Sequence, residues 1–194
     1  MKKLFSFILS IAALTAASQP KKAPKMAPVT TPGYYVVAKG DTVRGEVQTN
    51  PEDETDIYKS FFFKPANGGK LVAITPKKAK AYGYDNKHFI MIMEQGSEIY
   101  VEVLVRGRLN FYEYRYNGKI EGSPGIEAAY YVQDNRAEGE DVGLKELKKI
   151  SNKFYKKDLK PYMKDQKMIW DELDKFTFNK STVINALNEF NKYY

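Results

Sequence analysis

The spacing of apolar residues changes twice along the chain. Leu4 to Leu14 (LFSFILSIAAL) is an apolar run broken only by two serines. From Gly33 to about Glu140, short aromatic and β-branched runs lie between turn signals. After Asp141 apolar residues recur every three or four positions. In the middle region, Tyr34 to Lys39, Gly40-Asp41 and Thr42 to Thr49 predict a β-hairpin, with Gly40 suited to a II′ turn. Ile57 to Lys64 predicts a strand, and the turn-rich Pro65 to Lys70 (PANGGK) separates it from another at Leu71 to Ile74. Thr75-Pro76 is placed to cap a short helical turn through Ala81. A strand over His88 to Met93 follows.

Ser97 to Val105 alternates strictly, with Ile99, Val101, Val103 and Val105 on one side and Glu98, Tyr100 and Glu102 on the other. A two-residue turn at Arg106-Gly107 would pair Val105 with Arg108, Val103 with Asn110, Val101 with Tyr112 and Ile99 with Tyr114. Tyr112 and Tyr114 then share the valine face, while Phe111 and Leu109 oppose Glu102 and Leu104 on the other. Both faces are partly apolar, which calls for a second sheet or helices over one of them. Ala128 to Val132 closes the series. About seven short strands without helices of crossover length predict an α+β protein. Its strand part is an antiparallel meander, sandwich or partly open barrel, followed by C-terminal helices.

Leu144, Leu147, Ile150 and Phe154 form one helical stripe, and Lys145, Lys148, Lys149, Lys153, Lys156 and Lys157 fill much of the remaining circumference. This predicts an amphipathic helix with a basic outer face. Lys148, Lys149, Lys153, Lys156 and Lys157 are the candidate contacts for an anionic lipid, a glycan or an acidic partner. A solvated face on a helix packed against the sheet is the plainer alternative. Pro161 is expected to break or restart that helix. Met168, Ile169, Trp170, Leu173 and Phe176 make a second apolar cluster, with Trp170 as a core anchor. Asn179 to Thr182 offers N-cap residues for a last helix carrying Val183, Ile184, Leu187, Phe190 and Tyr194.

This organisation assigns residues 1–18 to a signal peptide. Lys2 and Lys3 precede the apolar run, and Ala16 and Ser18 favour cleavage before Gln19. The run is too short to span a ~30 Å hydrocarbon core. Residues 19–32, with four prolines and three lysines, read as a tether. Residues 33–194 form a single α+β domain, strand-rich over 33–140 and helical over 141–194. The expected location is therefore the periplasm or the outer-membrane periphery, with no transmembrane segment in the mature protein.

Charge refines this picture. The 194-residue chain carries a formal +7. Residues 1–32 hold five lysines and no acid, residues 33–143 carry 14 basic and 17 acidic groups, and residues 144–194 carry 12 and 7. An acidic strand region thus bears a basic helical end, and an exported protein of this kind is not expected to bind nucleic acid. There is no Cys and only one His, so thiolate and multi-histidine metal sites are excluded.

Candidate chemistry is sparse. His88 has no orienting carboxylate or nucleophile at a telling spacing. Pro51 to Asp56 (PEDETD) gathers four carboxylates but lacks the repeat of a calcium loop, and is read as a solvated connection. No nucleotide-binding, nucleophile-elbow or zinc-protease motif occurs. Tyr112, Tyr114 and Tyr116, near Arg108 and Arg115, are candidates for stacking on a sugar. No catalytic residue, metal or cofactor is assigned.

Three segments together carry a family resemblance: Gly33 to Thr42 (GYYVVAKGDT), Val101 to Tyr112 (VEVLVRGRLNFY), and the tail Phe178 to Tyr194. Preceded by a signal peptide, they resemble an uncharacterised family of exported envelope proteins of Bacteroidota type. The resemblance implies an envelope module and supplies no catalytic residues. The expected function is a non-catalytic envelope interaction module that binds a protein complex or an anionic membrane or glycan surface. The alternative is a glycan-binding protein or weak hydrolase using the Tyr-rich strand surface.

Overall fold

The computed structural model describes residues 27–135 and 147–194. The predicted signal peptide and most of the tether lie outside them, as do Asp141 to Glu146. The strands are β1 (Val29–Val37), β2 (Thr42–Thr49), β3 (Phe61–Pro65), β4 (Val72–Ile74) and β5 (Ala79–Tyr84). They continue with β6 (Lys87–Glu94), β7 (Ser97–Val105), β8 (Leu109–Ile120), β9 (Ser123–Asp134) and β10 (Lys148–Ile150). Three helices follow, α1 (Tyr155–Met163), α2 (Lys167–Asp174) and α3 (Lys180–Asn191), and a 3₁₀ turn covers Asp56–Tyr58.

The α+β class is as expected, but the described strands number ten rather than seven and form one open antiparallel sheet. Its order is β10-β9-β8-β7-β6-β5-β1-β2-β3-β4. It is neither a two-sheet sandwich nor a closed barrel. The sheet gains β5 and β10, and β1 starts earlier than expected, where local patterning is weak. Val29 to Pro32 belong to β1 rather than to the tether, because Val29 to Pro32 pair with Thr49 to Glu46. Lys149 and Ile150 pair with Tyr131 and Tyr130.

The sheet curls hard at its β1–β4 end. β4 and β5 stand four places apart, about 19 Å in a flat sheet. Only Thr75 to Lys78 join them, wound into a turn in which the Ala79 amide donates to the Thr75 carbonyl. One such turn advances about 5 Å. The predicted helical turn exists but yields to β5 at Ala79. The sheet must therefore fold over itself, and Phe61 of β3 stacks on Tyr82 of β5 at 4.0 Å between ring centres. Two glycines permit the bend. A Cβ on Gly45 would lie 2.2 Å from the Lys64 carbonyl oxygen, and one on Gly33 would lie 2.5 Å from that of Gly83.

The other end of the sheet is covered by helices. Val105, Leu109, Phe111, Tyr130, Val132 and Ile150 pack against Tyr155, Leu159, Met163, Leu173, Val183, Leu187 and Phe190. Asn179 caps α3 as its sequence suggests, accepting from the Thr182 amide at 3.3 Å. Trp170 is half-buried against this core, the expected anchoring role.

Two local expectations are corrected. The β7–β8 loop has three residues, Arg106 to Arg108, and pairs Val103 with Tyr112, a register two residues from the predicted one. A shift by two preserves the faces, so Tyr112 still lies with Ile99 and Val101. A bulge between Val103 and Val105 turns Val105 to the helical side instead. The predicted helix through Leu147 and Ile150 is, at Lys148–Ile150, a strand; the helix begins only at Tyr155. Pro161 lies inside α1 rather than ending it. It sits on the exposed side near the C-terminus, where water can satisfy the Lys157 carbonyl that loses its helical donor.

Candidate functional site

The strand face that meets α3 carries the one fully buried acid among the described residues. Glu113 of β8 is 2% exposed. Its carboxylate accepts from Lys180 Nζ at 3.0 and 3.2 Å, Tyr130 Oη at 3.0 Å and Arg115 Nε at 3.1 Å. Arg115 reaches on to Glu54 at 3.0 Å. Burial opposes the Arg115 charge, but Glu113, Tyr58 and Glu54 outweigh it and raise its pKa. Burial, reinforced by Glu113, pushes the Tyr130 phenol above its usual range. Each group here is neutralised by a neighbour, so the cluster acts as a clasp between sheet, acidic loop and α3.

That acidic loop is not simply solvated. Asp53 accepts from the amide and hydroxyl of Thr55 at 2.9 and 2.7 Å, and from Asn117 Nδ2 at 3.3 Å. The Thr55 hydrogen bonds lead the causes that hold the Asp53 carboxyl below its usual pKa. Its acids fasten the loop to β8, and no group of three or more His, Cys, Asp or Glu among the described residues converges on a metal-sized site.

His88 stands opposite Gly83 in the β5–β6 pair, and Tyr34 stands opposite Gly83 from β1. With no side chain between them, the Tyr34 ring stacks near the imidazole at 6.0 Å, with Oη and Nδ1 2.5 Å apart. Burial and then Arg106 lower the His88 pKa to about 4. The ring is thus neutral at pH 7, and its tautomer sets which of Nδ1 and the Tyr34 hydroxyl donates.

The three candidate stacking tyrosines share the sheet face away from the helices, but not as an open platform. Tyr112 is buried and donates to Gln133 Oε1 at 2.8 Å. Tyr114 and Tyr116 are half-buried, stack on each other at 5.5 Å, and Tyr116 donates to Glu127 at 3.0 Å.

The five candidate lysines do not share a helix face. Lys148 and Lys149 are consecutive in β10, so their side chains leave opposite sides of the sheet. Lys148 pairs with Asp158 at 3.6 Å on the helical side. Lys149 pairs with Glu94 at 3.1 Å on the other. Lys156 pairs with Asp174 at 3.4 Å across α1 and α2. Lys153 and Lys157 remain exposed and, among the described residues, without an ion pair. The helical end sorts its lysines consistently. Lys148, Lys149, Lys156, Lys167, Lys175, Lys180 and Lys192 each pair with an acid. Those without an ion pair among the described residues of 147–194 are Lys153, Lys157, Lys160 and Lys164. Tyr155, Leu159 and Met163 define the buried side of α1. The helical repeat carries Lys157 and Lys164 to the opposite side, with Lys160 at its flank and Lys153 just ahead.

Sequence patterning misses Lys160 and Lys164 because its helical stripe starts before Tyr155. With the start at Tyr155, the spacing 157, 160, 164 is legible as one face.

Asn191 is a further residue that sequence patterning missed. Its Oδ1 accepts from the Leu109 amide at 2.9 Å, and its Nδ2 donates to the Leu109 and Arg106 carbonyls at 3.0 and 3.4 Å. It continues the backbone pairing of β8 with a side chain, and fits only because Gly107 has no Cβ: one there would lie 2.4 Å from the Asn191 side chain. The Arg108 guanidinium adds a cation–π contact 3.6 Å from the centre of the Tyr194 ring.

No helix among the described residues is long and apolar enough to cross a membrane. Comparison with known proteins finds no match to a family model, a curated protein or a solved structure.

Proposed function

We propose that this protein is a non-catalytic interaction module of a Bacteroidota-type cell envelope. It is exported by the leader predicted at residues 1–18 and works in the periplasm or at the outer-membrane periphery. There it holds an anionic surface or partner through the outer face of α1. The observation that carries this reading is the arrangement of lysines at the helical end: among the described residues of 147–194 seven are ion-paired, and Lys153, Lys157, Lys160 and Lys164, without an ion pair there, gather along and just ahead of α1. The Tyr-rich sheet has no comparable support as a glycan platform, since Tyr112 is buried and Tyr114 and Tyr116 spend their rings on each other.

The test is crosslinking and co-purification of the tagged full chain from native envelopes at low and moderate salt. The four lysines changed together to Gln provide the comparison. The expected result is a reproducible set of envelope components whose recovery falls with salt and with the substitutions. Recovery of nothing reproducible at any salt, or recovery indifferent to the four lysines, sinks the proposal.

A further inference from the structure

The chemistry of the α1 face narrows its partner. Phe154 directly precedes α1 and is 55% exposed, with the Lys153 ammonium 5.3 Å from its ring centre. Phe154, Lys157, Pro161 and Lys164 are spaced by three, four and three residues, so they share one side of the helix. An aromatic ring is thus set among cations whose long stems reach past it. These residues line none of the described cavities, and as the outer side of a helix they form a convex face. A protein interface usually places apolar residues at its centre and charges at its rim. Here the centre is charged and carries a single ring. That arrangement suits a plane of phosphate groups over an apolar interior.

We infer that the outer face of α1 lies on a bilayer surface rich in anionic phospholipid, with Phe154 seated among the headgroups. This rests on the reading of α1 as the contact face. Lys153, Lys157, Lys160 and Lys164 meet lipid phosphates, while Phe154 contributes burial that salt does not screen. Pro161 sets the depth. It leaves the Lys157 carbonyl without its helical donor, and that carbonyl needs water, so the helix stays at headgroup level and does not enter the hydrocarbon.

The experiment is co-sedimentation of the full-length protein with vesicles of phosphatidylcholine alone or of phosphatidylcholine mixed with phosphatidylglycerol. The apolar run at residues 4–14 partitions into both alike, so the difference between them reports charge. The wild type should prefer the anionic vesicles, and added salt should erode that preference. Lys153, Lys157, Lys160 and Lys164 all changed to Gln should weaken anionic binding on the order of a thousandfold. Phe154→Ser should cause a smaller loss that persists at high salt. An unchanged thermal midpoint in both variants separates these losses from misfolding. Equal binding of the wild type to both vesicles, or full anionic binding by the quadruple variant, overturns the lipid assignment. If the vesicles are ignored but an envelope protein still crosslinks through the same four lysines, the lipid assignment fails and the broader reading stands. If neither vesicle binding nor crosslinking depends on them, both fail.

Discussion

The two ends of the sheet bury their apolar faces by different means. At the β1–β4 end the sheet folds over itself and closes on aromatic rings. Tyr82 lies between Phe61 at 4.0 Å and Phe89 at 4.5 Å, meets the edge of Tyr100 at 4.8 Å, and donates to the Ile57 carbonyl. At the β8–β10 end three short helices supply the cover, tied down at a few polar points. These are the Glu113–Lys180 pair, the Asn191 side chain on Leu109, and Tyr155, whose hydroxyl donates to the Leu173 and Phe176 carbonyls at 3.2 and 2.6 Å. The difference is one of redundancy. A backbone ladder and stacked rings share their load among many contacts, whereas eight- to twelve-residue helices are too short to hold themselves and depend on packing and clasps. The helical end is therefore where single polar substitutions should loosen structure locally, and where an exposed binding face is cheapest to evolve.

The sharpest challenge to this comparison is Tyr82→Ala. Emptying the centre of the aromatic stack should cost about 4 kcal/mol in denaturant unfolding, through lost burial and the cavity left behind. Tyr82→Phe keeps the stack but strands the Ile57 carbonyl, and should cost about 1–2 kcal/mol. Next comes Glu113→Leu, which leaves Lys180 and Arg115 without their shared carboxylate. Both cations are partly solvated, so the expected cost is about 2 kcal/mol, below that of a wholly buried pair. Adding Lys180→Met should return part of it in a double-mutant cycle. If redundancy separates the two ends, Asn191→Ala should cost about 1–2 kcal/mol. It should speed amide exchange in α3 and at Leu109 while leaving β1–β4 protected. Uniform loss of protection across the molecule would refute the local-clasp view.

A smaller effect concerns acid sensitivity. Unfolded His88 takes up a proton near pH 6.5, whereas in the fold it does so only near pH 4. Between these values the unfolded chain binds more protons. This contribution is therefore complete above about pH 6.5 and is lost as the pH falls toward 4. A stability–pH curve for His88→Gln should be flatter across that window than the wild-type curve. The smallest effect on stability belongs to the lysine face. Lys157→Gln with Lys164→Gln should change unfolding free energy by no more than about 0.5 kcal/mol, while reducing anionic-surface binding.

Several of these features are legible in the residue pattern alone. The change of period from strand to helix, the two-sided apolarity of β7 and β8, and the Asn179 cap depend on neighbours within a few positions. The last two emerge at the right places, whereas the helical period is read from Asp141 and the first helix starts only at Tyr155. Nor do Lys148 to Ile150 read as a strand. Leu144, Leu147, Ile150 and Phe154 fit a helical stripe, yet three residues beside the unpaired edge of β9 gain more from backbone pairing than from a helical turn. The curl of β1–β4 was likewise invisible, because nothing local records that Phe61 must reach Tyr82.

The candidate site divides along the same line. Sequence alone determined a basic C-terminal end on a strand-rich body, with an apolar run at residues 4–14. Only the tertiary structure decided which lysines meet an acid and which are left to face outward. An ion pair such as Lys180–Glu113 joins residues 67 positions apart, and no spacing rule reaches that far.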